Sequence, residues 1–145
     1  MFGGRPLAGA LASSSLALKR VIIMIAAKIE LILLITGLAT AGALLLFLAP
    51  VTLMKILFGQ APADALSLLI ARHWGLLVFL IGALLIYAAY HVEVRVPALI
   101  VAIAEKVAFA FGMFISPFRS RPAVLVMALA DAGMAAMYIT YLIGR

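Results

Sequence analysis

Long apolar runs, broken by proline, glycine or a small charged cluster, make up most of this 145-residue chain. Four of them reach the roughly 20 residues that a helix needs to cross about 30 Å of hydrocarbon. The pattern predicts spanning helices over about residues 31–49, 72–90, 98–116 and 123–143. Proline cannot continue a helical hydrogen-bond ladder, so Pro50 is read as the end of the first span, Pro97 and Pro117 as the frame of the third, and Pro122 as the start of the fourth. Lys28 and Glu30 mark the entry to the first span, and residues 51–59 read as a short interfacial continuation containing Lys55. Gln60-Ala61-Pro62-Ala63-Asp64 is the clearest turn signal, with Asp64 placed to cap the next helix. The second run, 66–90, is longer than a bilayer requires. Counting about 20 residues back from His91 puts its membrane edge near Arg72-His73-Trp74.

The expected fold class is therefore all-α integral membrane: an antiparallel four-helix transmembrane bundle over residues 28–145, preceded by a short segment, 1–27, that is interfacial or partly disordered. Residues 1–18 are rich in Gly, Ala and Ser. A cleaved signal peptide is the rival reading, but Arg5 alone makes a poor basic region and serines interrupt the apolar run. Lys19-Arg20 then open residues 21–27, too short to cross alone and read as a helical run-in to the first span.

Aromatic placement bears on this topology. Tyrosine favours the head-group level; with four alternating spans, Tyr87, Tyr90, Tyr138 and Tyr141 all fall on the side of the N-terminus and Trp74 on the other. Arg5, Lys19, Arg20, Lys28, Arg95 and Arg145 share the first side, against Lys55, Arg72, Arg119 and Arg121 opposite. Because the cytoplasmic side carries the excess of Lys and Arg, both termini are expected in the cytoplasm.

Composition agrees: 68% hydrophobic and 11% charged residues lie outside the soluble range of about 45–50% apolar and about 25% charged. The formal charge of +6 invites a nucleic-acid reading. The basic residues flank apolar segments rather than forming a stripe with interleaved aromatics, so the lipid bilayer is the expected partner and nucleic acid is not. The absence of cysteine removes disulfides, thiolate metal sites and dithiol chemistry together. A redox role would require a bound cofactor, for which a quinone is the class left open, or a partner subunit.

An ionised side chain at mid-bilayer costs about 2.5–3.5 kcal/mol even on the lenient insertion scale, so such residues are paired or face a cavity. Glu105 lies roughly 12 Å in from Pro97, and Asp131 roughly 13–14 Å in from Pro122, at helical rise. Both acids thus belong near the middle, with Lys106 within a turn of the depth of Asp131. Neighbours on a helix point about 100° apart, so Lys106 is expected to pair with Asp131 across the third and fourth spans, leaving Glu105 to face elsewhere. Such a pair is either a lock between helices or part of a substrate path; a protonatable Glu105 suits a proton-linked carrier and equally a packed neutral acid. Arg72, His73 and Trp74 form a second, membrane-edge candidate. They read as a snorkelling cation, an interfacial ring and an anchor, or as a head-group or quinone-type site. His73 and His91, about 27 Å apart along one helix, cannot share a haem or metal, and no metal site is expected. Spacing-four rows such as Ala39-xxx-Ala43, Thr36-xxx-Thr40 and Ala128-xxx-Ala132-xxx-Ala136 support close helix packing.

Several stretches together resemble the DoxX-like group of small four-helix bacterial membrane proteins, including its uncharacterised relatives. They are Leu34-Ile35-Thr36-Gly37 through Ala49-Pro50, Ile56-Leu57-Phe58-Gly59, Arg72-His73-Trp74-Gly75 leading into Gly82, and Glu105-Lys106. The likeness covers about residues 28–143. It implies a bacterial inner-membrane location and, since some members look like accessory subunits of membrane oxidoreductase systems, an accessory role in a complex rather than catalysis. A proton-linked transporter using Glu105 or Asp131, working as a homo-oligomer, and a quinone- or lipid-handling enzyme are the alternatives.

Overall fold

The computed structural model describes the backbone of residues 5–145 and the side chains from Ser15 onward. Among the described residues there is helix and no strand. Seven α-helices follow in order: α1 (Arg5–Ala27), α2 (Ile29–Ala41), α3 (Leu44–Leu48), α4 (Pro50–Phe58), α5 (Ala65–Tyr90), α6 (Val92–Ile115) and α7 (Pro122–Ile143), with a single 3-10 turn at Pro117–Ser120 before the last. Four segments are long and apolar enough to cross a membrane: Ile29–Leu48, which joins α2 and α3, then α5, α6 and α7. Segment 1–27, left between disorder and an interfacial helix by its sequence, is helical from Arg5 to Ala27; residues 1–4 lie outside the described part.

The surface is inverted relative to that of a water-soluble protein. Ile35, Leu38, Leu48, Phe111 and Ile115 are exposed while Lys106, Arg95, Thr36 and Thr40 are buried. In water such exposure would forfeit about 25 cal/mol per Å² of apolar surface; against lipid tails it forfeits nothing, which is the character of a multi-pass membrane protein.

The helix limits differ from the proline-to-proline expectation in instructive ways. Asp64 accepts a 2.7 Å hydrogen bond from the Ser67 N–H and starts α5 at Ala65, so this helix has 26 residues. That bond to the anionic form also holds the Asp64 carboxyl below its usual range. Arg72-His73-Trp74 therefore do not open the helix. They lie two turns or more inside one that is about 39 Å long, longer than a bilayer requires, as the 66–90 run indicates. Pro97 does not start α6 but is its sixth residue. So near the N-terminus it removes one hydrogen bond, to the Glu93 carbonyl, at a tolerable cost. Pro50 does end a helix, through Ala49 (φ −130°, ψ 58°), yet it also begins α4 at the first-turn position where its missing N–H is harmless.

The first span is itself broken, at Gly42-Ala43. Bonds of the tighter i to i−3 kind carry the chain across: Ala43 N–H to Thr40 O (3.1 Å), Leu45 N–H to Gly42 O (3.0 Å) and Leu46 N–H to Ala43 O (2.9 Å). Both pieces pack on α5, and two glycines set how closely. A Cβ at Gly82 would collide with the Ala41 backbone and stand 2.7 Å from the Gly37 carbonyl, while one at Gly75 would stand 2.8 Å from the Phe47 amide nitrogen. Seven residues apart, the two glycines lie on one face of α5. Of the spacing-four rows, Thr36 and Thr40 are buried, whereas Ala39 and Ala136 face outward, so the closest backbone approach is made by glycine instead.

The core joins α2, α5, α6 and α7 through Leu33, Leu85, Leu99, Ala102 and Tyr138. The four tyrosines differ in burial. Tyr87 and Tyr90 are exposed, but Tyr138 is fully buried and Tyr141 nearly so. The Tyr138 hydroxyl donates to Thr36 Oγ1 at 2.6 Å, and Thr36 donates to the Ile32 carbonyl at 2.6 Å. A buried tyrosine hydroxyl needs such a partner.

Arg95, counted from sequence as a loop charge, is buried. Its Nε donates to Ala88 O at 3.1 Å and its Nη2 to Ala89 O at 2.9 Å, closing the last turn of α5, with Glu30 Oε1 3.8 Å away. A cation on the orphan carbonyls of a helix C-terminus complements both their lone pairs and the dipole. Arg95→Ala is expected to cost about 1.5–3 kcal/mol, read as a lower melting temperature in detergent, with Arg95→Lys recovering only part because a point charge cannot serve two carbonyls as the fork does. An unchanged melting temperature for Arg95→Ala would remove this capping role.

Candidate functional site

The charged cluster is built from two helices. Lys106 on α6 extends an apolar stem through the interface and donates from Nζ to Asp131 Oδ1 on α7 at 2.8 Å. This is the contact expected from residue depth. Glu105 does not face elsewhere, however: its Oε2 lies 3.7 Å from the same Nζ. Adjacent Cα positions diverge by about 100°, but a four-carbon stem can still swing its ammonium between two neighbours. The Lys106 side chain is 2% exposed and each acidic side chain 16% exposed. Two acids thus share one cation well away from the helix ends.

Their hydrogen bonding is unequal. Lys106 is committed to Asp131, while Glu105 Oε2 is buried and has no hydrogen-bond partner; Thr40 Oγ1, on the first span, is in the same condition. Buried polar atoms are almost always satisfied, and those that are not mark strain, chemistry or a place for a ligand or water.

Both orphaned atoms belong to residues that line cavities. Glu105 and Asp131, with Trp74, Phe109, Gly75 and Leu46, surround one of about 100 Å³. It borders a second of about 440 Å³, to which Thr40, Gly42, Lys106, Met134 and again Asp131 contribute. The break at Gly42-Ala43 forms part of both walls. The tightened 3-10 stretch at Gly42-Ala43 thus stands against the same cavities as the charges, and the two belong to one site.

The membrane-edge trio separates in the structure. Arg72 and His73 are exposed on the outer surface, whereas Trp74 is half-buried and turns inward, its ring 5.6 Å from that of Phe109 at an interplanar angle of 30°. Trp74 thus joins Glu105 and Asp131 rather than Arg72 and His73. A site that needs the exposed pair and the acids to converge is not assembled in this chain. Gly42 escaped sequence reasoning, whereas Thr40, in a spacing-four row, and Phe109, on the helix face of Glu105, were read there as packing positions only. Among the described residues no three His, Asp or Glu side chains converge as metal ligands.

The chain matches no known protein family, no curated protein and no solved structure at a significant level.

Proposed function

We propose that this chain is a small proton-linked carrier of the membrane, and that its four spans form an antiparallel bundle around an exchange site made by Glu105, Lys106 and Asp131. The observation that carries the reading is the stoichiometry of charge: two carboxylates and one ammonium, largely buried among apolar side chains. Uncompensated charge there costs several kcal/mol, so the cluster calls for one further positive charge. A proton on Glu105 supplies it, and so does a cation in the cavity; both together would leave an excess. Binding of the two is therefore mutually exclusive, and that exclusion is the physical content of coupled exchange. The broken first span, packed on the cavity, is the element whose rearrangement would open it to alternate sides.

Purified protein in liposomes should dissipate an imposed pH gradient when a transportable cation is present on the opposite side, and Glu105→Gln, isosteric and without a titratable proton, should abolish the flux while leaving the melting temperature near that of the parent. Undiminished flux in Glu105→Gln would dispose of the reading.

A second reading is favoured by the 2.8 Å contact itself. Here the Lys106–Asp131 pair locks α6 to α7 in an accessory subunit of a membrane complex, as the DoxX-like resemblance implies, in the bacterial inner membrane with both termini cytoplasmic. Co-purification of a stoichiometric partner, with no flux at any gradient, would favour it.

A further inference from the structure

Resting on the exchange reading, we propose that the cation is a small alkylated ammonium, held between Glu105 and the aromatic wall of Trp74 and Phe109. An inorganic cation demands about six or more oxygen ligands in place of its water. This cavity presents carboxylate oxygens on one side only and is otherwise Leu, Val, Met and aromatic carbon. An alkylated ammonium carries its own apolar shell, so it is satisfied by one unpartnered carboxylate and by the electron-rich faces of aromatic rings.

Three independent features point the same way. Trp74 and Phe109 stack and line the cavity together with Glu105. Glu105 makes no hydrogen bond through its buried Oε2 and stands 3.7 Å from the ammonium that Asp131 holds at 2.8 Å, so it is the more weakly compensated of the two acids. Thr40, at 6% exposure, lines the adjoining chamber and carries a buried Oγ1 without a partner, which a turn of the side chain would bring to a polar substituent on the cation. The volume is apt: about 100 Å³ falls somewhat below the roughly 150 Å³ engineered cavity that holds one benzene. It suits a cationic head of four or five heavy atoms, with the larger chamber free to take longer substituents.

Trp74 is the only tryptophan in the chain, so its emission reports on this site alone. The full chain in lipid nanodiscs would be titrated with tetramethylammonium, with potassium, and with tert-butanol as a neutral molecule of the same heavy-atom count. Tetramethylammonium should shift Trp74 emission saturably, with release of up to one proton per site. Its affinity should fall by up to tenfold per unit drop in pH once Glu105 is protonated. Glu105→Gln should remove both signals, and Phe109→Leu should weaken tetramethylammonium by about fivefold. If potassium releases the proton and tetramethylammonium is silent, the ligand class is wrong while the exchange site stands. If tert-butanol binds as well as tetramethylammonium, the cavity is merely apolar and the inference fails. If no cation releases a proton from the parent, both this inference and the exchange reading fall. Parent protein alone decides each of these three outcomes, whether or not the variants fold.

Discussion

Lys106→Met should lower stability by about 3–5 kcal/mol, because removing one member of a buried ion pair strands its partner. The effect falls on two groups at once. Asp131 loses its 2.8 Å hydrogen bond and Glu105 its 3.7 Å neighbour, leaving two carboxylates in one cavity without a cation. Protonation of both acids is the available relief, so the deficit should shrink as the pH is lowered. A Lys106→Met, Asp131→Leu double variant should recover the share owed to Asp131, since a buried pair replaced by apolar groups of similar size is often neutral, with Glu105 still lacking its 3.7 Å neighbour. Exchange of the two residues, Lys106→Asp with Asp131→Lys, should likewise outperform either single change. Thermal unfolding in detergent across a pH series measures all of these. A single Lys106→Met variant that melts with the parent would mean the triad contributes nothing to the fold.

Gly82→Val should be the most disruptive substitution on the face between the first and second spans. Its Cβ would overlap the Ala41 backbone and press on the Gly37 carbonyl, neither of which can give way as a side-chain tip could. Overpacking of this kind costs about 1–3 kcal/mol and occasionally more, and here it would push a whole helix away from α5. Two other glycines provide the internal control. A methyl group added at Gly112 or Gly133 would meet nothing within 4 Å, so alanine at either should be neutral or gain up to about 1 kcal/mol from helix propensity. If Gly82→Val and Gly133→Ala melt alike, the tight crossing of α2 and α5 does not hold the bundle together.

How far these features could be read from the amino acids varies with the physics behind each. The depth of Lys106 and Asp131 was legible because residue count converts directly to distance along a helix, and an error of a few residues at Pro97 still leaves both near the middle. The Asp64 cap was legible for a similar reason: it is a local hydrogen bond three residues long. The four apolar stretches were legible because lipid imposes a length. By contrast, the inward turn of Trp74, the burial of Tyr138 and the capping role of Arg95 depend on what another helix offers at the same height. No local pattern encodes that. The 3-10 stretch at Gly42-Ala43 was not legible either, since a lone glycine in an apolar run permits such tightening without requiring it.

The second and third crossings are joined by His91 alone, between Tyr90 and Val92. A link of one residue leaves neither helix slack to slide along its axis, so a change in the depth of one crossing is handed directly to the next. Arg95 stiffens that joint, because its bonds to the Ala88 and Ala89 carbonyls tie the start of α6 to the end of α5.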